Sequence, residues 1–308
     1  MENNPTRGLA EMVQSAALGS IAQSVELRAR DLLLDYLGVL IGGSVEPVGV
    51  AMGRYAETAS SGESSVYLTK RSSAAVAAMA NGMAAHILEL DDVTNESSLH
   101  PGVVVWPAAM AAVERRHGTL GDLLAGGVAG YEVVMRVGEA LNAESVYARG
   151  FHPTGVAGVF GATAAVGRIL GLNPEQIQHA LGLAGSMASG SLAYSQNGSD
   201  GKRLNAGWAA HAGVTAADLA ANPVSADELQ RAVAPMQQLL MRASTGNAFW
   251  MNQMEGATHD PRYVQAMQNM GKDMLSVTPA QLQALAVKYL VPAKSWSVIV
   301  LPEGVSAK

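Results

Sequence analysis

Along the first two thirds of the chain, apolar residues recur at helical spacing and are punctuated by glycine, proline and short polar stretches. Over residues 24–42, Leu27, Leu32, Leu33, Leu37 and Ile41 fall near the 3.6-residue period of a helix with one buried stripe. Ser24 reads as its N-cap, Glu26 supports its first turn, and Gly42 with Gly43 reads as its stop. A second helix is predicted over 46–59, where Pro47 is tolerated in the first turn. Residues 64–69 read as a short extended piece. Residues 74–90 are rich in Ala and Met and apolar almost all round, as a buried helix is.

A polar loop over 93–102 precedes a helix over 104–115, and the pattern continues over 120–141 with glycine breaks. Helices over 155–170, 174–189 and 206–221 complete the set. Their short connections make neighbours antiparallel, so residues 1–221 read as one helical domain. The texture changes near residue 222. Ser225 with Glu228 forms a capping-box pattern, followed by a long amphipathic helix over 227–254. A further helix is predicted over 276–289, and a single strand over 296–301 with no partner inside the chain. The expected fold class is mainly α: a helical domain followed by a small, helix-rich α/β partial domain at 222–308.

Composition narrows this picture. The 308 residues are 49% hydrophobic but only 5% aromatic, which favours closely packed helices over a β-sandwich. Charged residues make up 15%, few enough to suggest surface covered in an oligomer. The net charge is −6 and no Lys/Arg run exceeds a pair, which argues against nucleic-acid binding. There is no cysteine, hence no disulfide or thiol chemistry. The N-terminus lacks a signal-peptide pattern and the apolar run at 32–41 is short and contains Asp35, so no membrane span and a cytoplasmic location are expected.

Three polar segments carry candidate chemistry. In the first, Asp91 and Asp92 close the predicted 74–90 helix, with His100 nearby in sequence. Carboxylates at the negative end of a helix, beside a histidine, suit a general acid/base pair, although a structural His–Asp bond gives the same pattern. The second runs from Arg149 to Gly161 and sets His152 before Pro153 and Thr154 at a helix entrance. Its exposed amides suit an anion. Small residues follow almost throughout, so either a ligand or another helix approaches that backbone closely. The third places Lys202 and Arg203 between glycines just ahead of a helix, where they hold a carboxylate or are simply solvated. No HxxxH or HxH spacing is present, so no dedicated metal site is expected, and the phosphate-loop, dinucleotide and nucleophile-elbow motifs are absent.

In this order and spacing, the segments His86-Ile-Leu-Glu-Leu-Asp-Asp-Val with His100-Pro-Gly, Gly150-Phe-His-Pro-Thr-Gly with Gly182-Leu-Ala-Gly-Ser-Met-Ala-Ser-Gly, and Lys202-Arg-Leu-Asn-Ala-Gly resemble the MmgE/PrpD family. That family includes 2-methylcitrate dehydratase and cis-aconitate decarboxylase. The resemblance, over about residues 8–221, implies an all-helical domain with a separate α/β lid and a homodimer. It also implies cofactor-free, metal-independent dehydration, decarboxylation or epimerisation of a small di- or tricarboxylate. Carried over by position, Asp91, Asp92, His100, His152 and Lys202 are the implied catalytic set, and Arg149, Thr154, Arg203 and Asn205 the implied substrate contacts. Asn205 stands where the family's basic motif commonly has a histidine. The residues after 221 do not resemble the family's lid. Over 224–303 they resemble the non-catalytic C-terminal end of M16 zinc peptidases, through Val224-Ser-Ala-Asp-Glu-Leu, Val277-Thr-Pro-Ala-Gln-Leu and Trp296-Ser-Val-Ile-Val-Leu. The chain lacks HxxEH, so no peptidase activity is implied. The chain thus reads as a fusion of two families with a seam near 220–224, and two functional readings follow: a polycarboxylate lyase or isomerase impaired by loss of its lid, or a catalytically inactive fusion product acting as a binding or scaffold module.

Overall fold

The computed structural model of the chain describes residues 4–221, 260, 262–278 and the isolated positions 234, 238, 242, 246 and 281. The chain divides into two compact units, Met1–Ala221 and Asn222–Lys308. In the first, α1 (Pro5–Ser15) leads to α2 (Gln23–Ser44) and α3 (Pro47–Ala59), then to the strands β1 (Ser64–Val66) and β2 (Lys70–Ser72). The helices α4 (Ala74–Ala85), α5 (Gly102–Arg116), α6 (Leu120–Leu141) and α7 (Ala143–Ala148) follow. The unit closes with α8 (Pro153–Leu170), α9 (Pro174–Met187), the single turn α10 (Tyr194–Asn197) and α11 (Gly201–Ala221).

The unit is mainly helical but not all-helical. Residues 64–72 make an antiparallel hairpin with Ser64 opposite Ser72, turned by Tyr67 and Leu68 at φ 50° and 64°. Two non-glycine residues in left-handed conformation give the tight turn that matches strand twist. Asn81 on α4 fastens it, donating to the Ser65 carbonyl (2.8 Å) and accepting from the Tyr67 amide (2.9 Å).

Several glycines do something other than what the pattern suggested. The predicted stop at Gly42–Gly43 is absent, and α2 runs on to Ser44. A Cβ on Gly43 would overlap the Ala84 carbonyl oxygen, so this glycine admits α4 instead of ending α2. Helix α6 is likewise unbroken from Leu120 to Leu141, and Gly127 and Gly130 make room for Trp106 and Val105 of α5. Along α8, Gly158 faces Val104 and Ala209, and Gly161 faces Val134 and the Gly130 carbonyl. The close approach expected at this backbone is therefore made by helices. Without side chains at these points, backbones pack near contact distance and dispersion replaces aromatic bulk.

Other expectations need correction. Ser24 lies inside α2, whose N-cap is Ala22. The buried face of α2 is Ala29, Tyr36, Val39, Leu40 and Gly43, while Leu27 and Ile41 are exposed. The predicted start of α11 at residue 206 lies a turn too late, which puts Lys202 and Arg203 on the helix. Helix α8 is long and apolar enough by length and composition to cross a membrane, contrary to the expectation of none, but 78% of it is buried inside the unit.

In the second unit, α12 (Arg262–Ser276) was not anticipated. Reciprocal bonds between Thr278 and Gln281 form a capping box where the 276–289 helix was expected to begin. The remainder of that helix, the 227–254 helix and the 296–301 strand lie outside the described residues, so no separate α/β unit is described there.

Gly38 and Gly43 on α2 provide a paired check on close packing. Nothing lies within 4 Å of a Cβ built at Gly38. Gly38→Ala is expected to stabilise the fold by about 0.5–1 kcal/mol through helix propensity. Gly43→Ala is expected to destabilise it by about 1–3 kcal/mol through overpacking. Denaturant melts of the two variants should move in opposite directions.

Candidate active site

The site begins where α4 ends early. The apolar run was expected to stay helical to residue 90, but α4 stops at Ala85, with His86 as its C-cap. Glu89 then takes φ 55°. The chain unwinds over 86–92, and this turns polar side chains of one motif back over the end of a buried helix. Asp91 and Asp92 therefore do not sit on a helix terminus, as the pattern had implied.

The two aspartates separate in role. Asp92 accepts from the Gly102 amide (2.9 Å) and from the Tyr131 hydroxyl (2.9 Å), and Trp106 donates to that same hydroxyl (3.1 Å). Its carboxyl is raised above the ordinary range by burial, against which these bonds act only partly. Asp92 thus fastens the start of α5. Asp91 faces the histidines. Its Oδ2 lies 3.0 Å from Nδ1 of His86 and 2.8 Å from Nδ1 of His100. The His86 contact is a well-aligned hydrogen bond, whereas His100 meets the same oxygen out of hydrogen-bond alignment. Burial raises the Asp91 carboxyl, but its contacts with His100 and His86 outweigh burial and hold it well below the usual carboxylate range.

His152 enters from α8 as its N-cap. Its amide donates to Gly190 (2.7 Å), and Gly150 accepts from the Leu192 amide (2.9 Å), so the 188–192 loop pins the helix entrance. A Cβ on Gly155 would lie 2.8 Å from the Cα of Gly190, which itself has φ 126°, so both glycines are required for this approach. The His152 ring stacks 6.0 Å from His86, and His86 meets His100 edge-on at 4.7 Å. Burial first, then the neighbouring His86, Lys202 and His100, push the His152 imidazole down to about 3, so it is neutral near pH 7.

Lys202, on the first turn of α11, pairs with Glu89 at the solvent edge of the cluster. Thr154 is fully buried and its Oγ1 accepts from the His100 amide (3.0 Å), so it positions His100. Asn205 donates to the Ser191 carbonyl (3.3 Å) and braces the same loop. Arg203 lies 3.3 Å from Asp200, with its Nε buried and unbonded, and Arg149 is exposed at the end of α7.

Sequence reasoning left His86 and Glu89 out of the site, although both stand in the same motif as Asp91. His86 is completely buried, and a buried histidine one turn before an acidic run was the available signal. Among the described residues, His86 Nε2, Asp91 Oδ1 and His152 Nδ1 are buried without a hydrogen-bond partner. Such atoms each cost about 1–3 kcal/mol, and their gathering in one place marks a site prepared for a polar ligand. The open groove lined by Glu63, Arg71, Glu114 and His117 shares no residue with this cluster.

Residues 7–247 match the MmgE/PrpD N-terminal domain. Over 228 residues the chain is 33% identical to cis-aconitate decarboxylase-like protein oryM of Aspergillus oryzae, covering 71% of this chain and 47% of that protein. It is 34% identical over 143 residues to cis-aconitate decarboxylase of Aspergillus terreus, covering 45% and 29%. With cis-aconitate decarboxylase of Homo sapiens it shares 30% over 223 residues, covering 70% and 46%. The chain spans about half the length, or less, of these relatives. The family match continues to residue 247, past the seam expected near 220–224, and brings no support for a peptidase-like segment.

The depressed His152 imidazole sets a pH dependence whose sign is fixed. The unfolded chain binds the proton below about 6.5 while the folded one resists it down to about 3, so stability falls as pH drops through that interval. At pH 5 the loss from this group is about 2 kcal/mol relative to pH 7.5. Wild-type melts should therefore weaken from pH 7.5 to 5, and His152→Gln should flatten that slope.

Proposed function

The chain belongs to the MmgE/PrpD family, and from that premise we propose that its histidine cluster binds a small di- or tricarboxylate and moves a proton beside one of the carboxylates. The reaction class is a lyase or isomerase step: dehydration, decarboxylation or epimerisation, carried by imidazoles without a metal. The observation that carries this reading is the convergence of His86, His100 and His152 around Asp91, with Lys202 at the rim.

The division of labour follows from charge. Lys202 holds a substrate carboxylate, exchanging Glu89 for it. Asp91 orients His86 through its Nδ1, lies against Nδ1 of His100, and stays ionised. His152 is the proton-moving group. Without a bound anion it is kept neutral chiefly by burial, with the nearby Lys202 acting in the same direction. A polycarboxylate placed beside it supplies opposite charge and favours the imidazolium, so the group takes up a proton as substrate arrives. In a decarboxylation, the C–C bond electrons left on carbon as carbon dioxide departs are then quenched by that proton. In a dehydration the imidazolium gives its proton to the departing hydroxyl, which leaves as water, and in an epimerisation to the opposite face of the carbon; in both, a neutral neighbouring imidazole takes the carbon-bound proton. The names of the relatives make cis-aconitate the first candidate to test. A homodimer, as the resemblance implies, is the proposed assembly.

A second reading, binding without turnover, is favoured by the exposure of the rim. The Glu89 side chain is 40% and that of Lys202 22% exposed. A wet site screens charge, and electrostatic stabilisation of the transition state weakens more than binding does.

Calorimetric titration with cis-aconitate and related tricarboxylates, in buffers of different ionisation enthalpy, tests both readings. Binding is expected with net proton uptake near pH 7. Lys202→Ala should weaken it about tenfold or more, and His152→Gln should abolish the uptake and any turnover. Binding that is unchanged in Lys202→Ala, or that takes up no proton, would overturn the assignment of those residues. Proton-coupled binding without product formation would establish the second reading.

A further inference from the structure

The same unwound segment assembles a set of donor atoms that the proton chemistry does not use as such. His86, Glu89 and His100 each present one ligand atom, and the three atoms lie within 4.8 Å of one another. His86 and Glu89 stand three apart in sequence, and His100 returns to them through the polar loop, a convergence that no HxxxH or HxH spacing announces. We infer that these three side chains form a binding site for a borderline divalent transition ion, of which zinc is the test case, and that the ion is a reversible inhibitor rather than a cofactor.

Three observations carry the inference. First, His86 is completely buried, its Nδ1 is taken by Asp91, and its Nε2 has no partner among the described residues. A neutral imidazole with one nitrogen bonded to a carboxylate and the other free is the form in which histidine ligates metals. Second, Asp91 Oδ2 is hydrogen-bonded to His86 Nδ1 at 3.0 Å, which is the orienting carboxylate that histidine metal ligands characteristically have behind them, and His100 Nδ1 lies 2.8 Å from the same oxygen. Third, the local charge is favourable. Glu89 and Asp91 supply two negative charges against the single positive charge of Lys202.

The ligand set fixes the class of ion. Two imidazole nitrogens and one carboxylate suit zinc, cobalt or nickel, and not magnesium or calcium, which take oxygen donors. Three protein ligands leave a fourth position for water. Bonds of about 2.0–2.1 Å hold tetrahedral ligand atoms roughly 3.4 Å apart, so a separation of 4.8 Å must close by about 1.4 Å. Glu89 is the part able to do so, since its side chain is 40% exposed and only an ion pair restrains it.

Occupation has a chemical consequence. A bound ion takes the His86 and His100 nitrogens and the Glu89 carboxylate, and so fills the cluster that the proposed substrate would enter. Inhibition thus rests on the proton-transfer reading, whereas the ion site itself does not.

The test uses the full chain without a polyhistidine tag, titrated with zinc against a chromophoric chelator and with cobalt(II) by visible absorption. One zinc per chain is expected, with intensified cobalt bands of a four-coordinate site, and no competition from magnesium. Glu89→Gln and His100→Gln should each weaken zinc at least tenfold. Absence of zinc binding, or binding unchanged in both variants, would overturn the site. Should His100→Gln lose its cooperative melt, Glu89→Gln decides alone, because that side chain is at the surface. Polycarboxylate affinity, measured separately in the presence of chelator, keeps the two ideas apart. Intact carboxylate binding without zinc binding rejects only the ion site, and zinc binding without carboxylate binding rejects only the proposed function.

Discussion

The close approach of helix backbones at glycine is the constraint on which the first unit depends. At Gly82 a Cβ would meet the Val103 carbonyl at 2.8 Å and the Gly207 Cα at 3.2 Å, joining α4, α5 and α11 at one point. Gly158 and Gly161 bring α8 against α5, α11 and α6. These contacts replace the aromatic bulk that the chain lacks, and they fix where each helix can begin and end. The ends of α4 and the starts of α8 and α11 supply the residues that gather around Asp91.

From that packing the site follows by a local failure of helix formation. The 86–92 segment leaves the helix, and its backbone turns at Glu89 with positive φ. A non-glycine residue in that conformation is strained by about 1 kcal/mol or more, which the surrounding contacts must offset. Glu89 gains the Lys202 pair, His86 the buried Asp91 bond, and Asp92 its two bonds to Gly102 and Tyr131. Adjacent aspartates thereby acquire opposite electrostatic characters, one held ionised by imidazoles and the other pushed up by burial.

The glycines show how one residue type misleads when read locally. Gly42 and Gly43 follow an apolar stripe and look like a helix stop, and the glycines of α6 look like breaks. In both places they are thin points where another helix passes. A stop and a crossing give the same local pattern, because both need a position without a Cβ, and only the neighbouring element distinguishes them.

The helical character, most helix positions and the three chemical segments were legible in the chain, because helix period, caps and motif spacing are local properties. His100, His152 and Lys202 were named from those segments; the structure sets His100 against Asp91, His152 against the His86 ring and Lys202 on Glu89. What the chain could not show was which polar groups also brace the structure. Thr154 and Asp92 carry the same chemical groups as a substrate contact and a catalytic acid, yet their partners are the His100 amide and the start of α5. His86 and Glu89 join the site only because α4 ends at Ala85, and that ending is set by tertiary packing. Sequence by itself determined which side chains were available and the period on which they were strung. Tertiary structure decided which of them meet, because contacts between residues tens of positions apart depend on how closely the helices between them can pack.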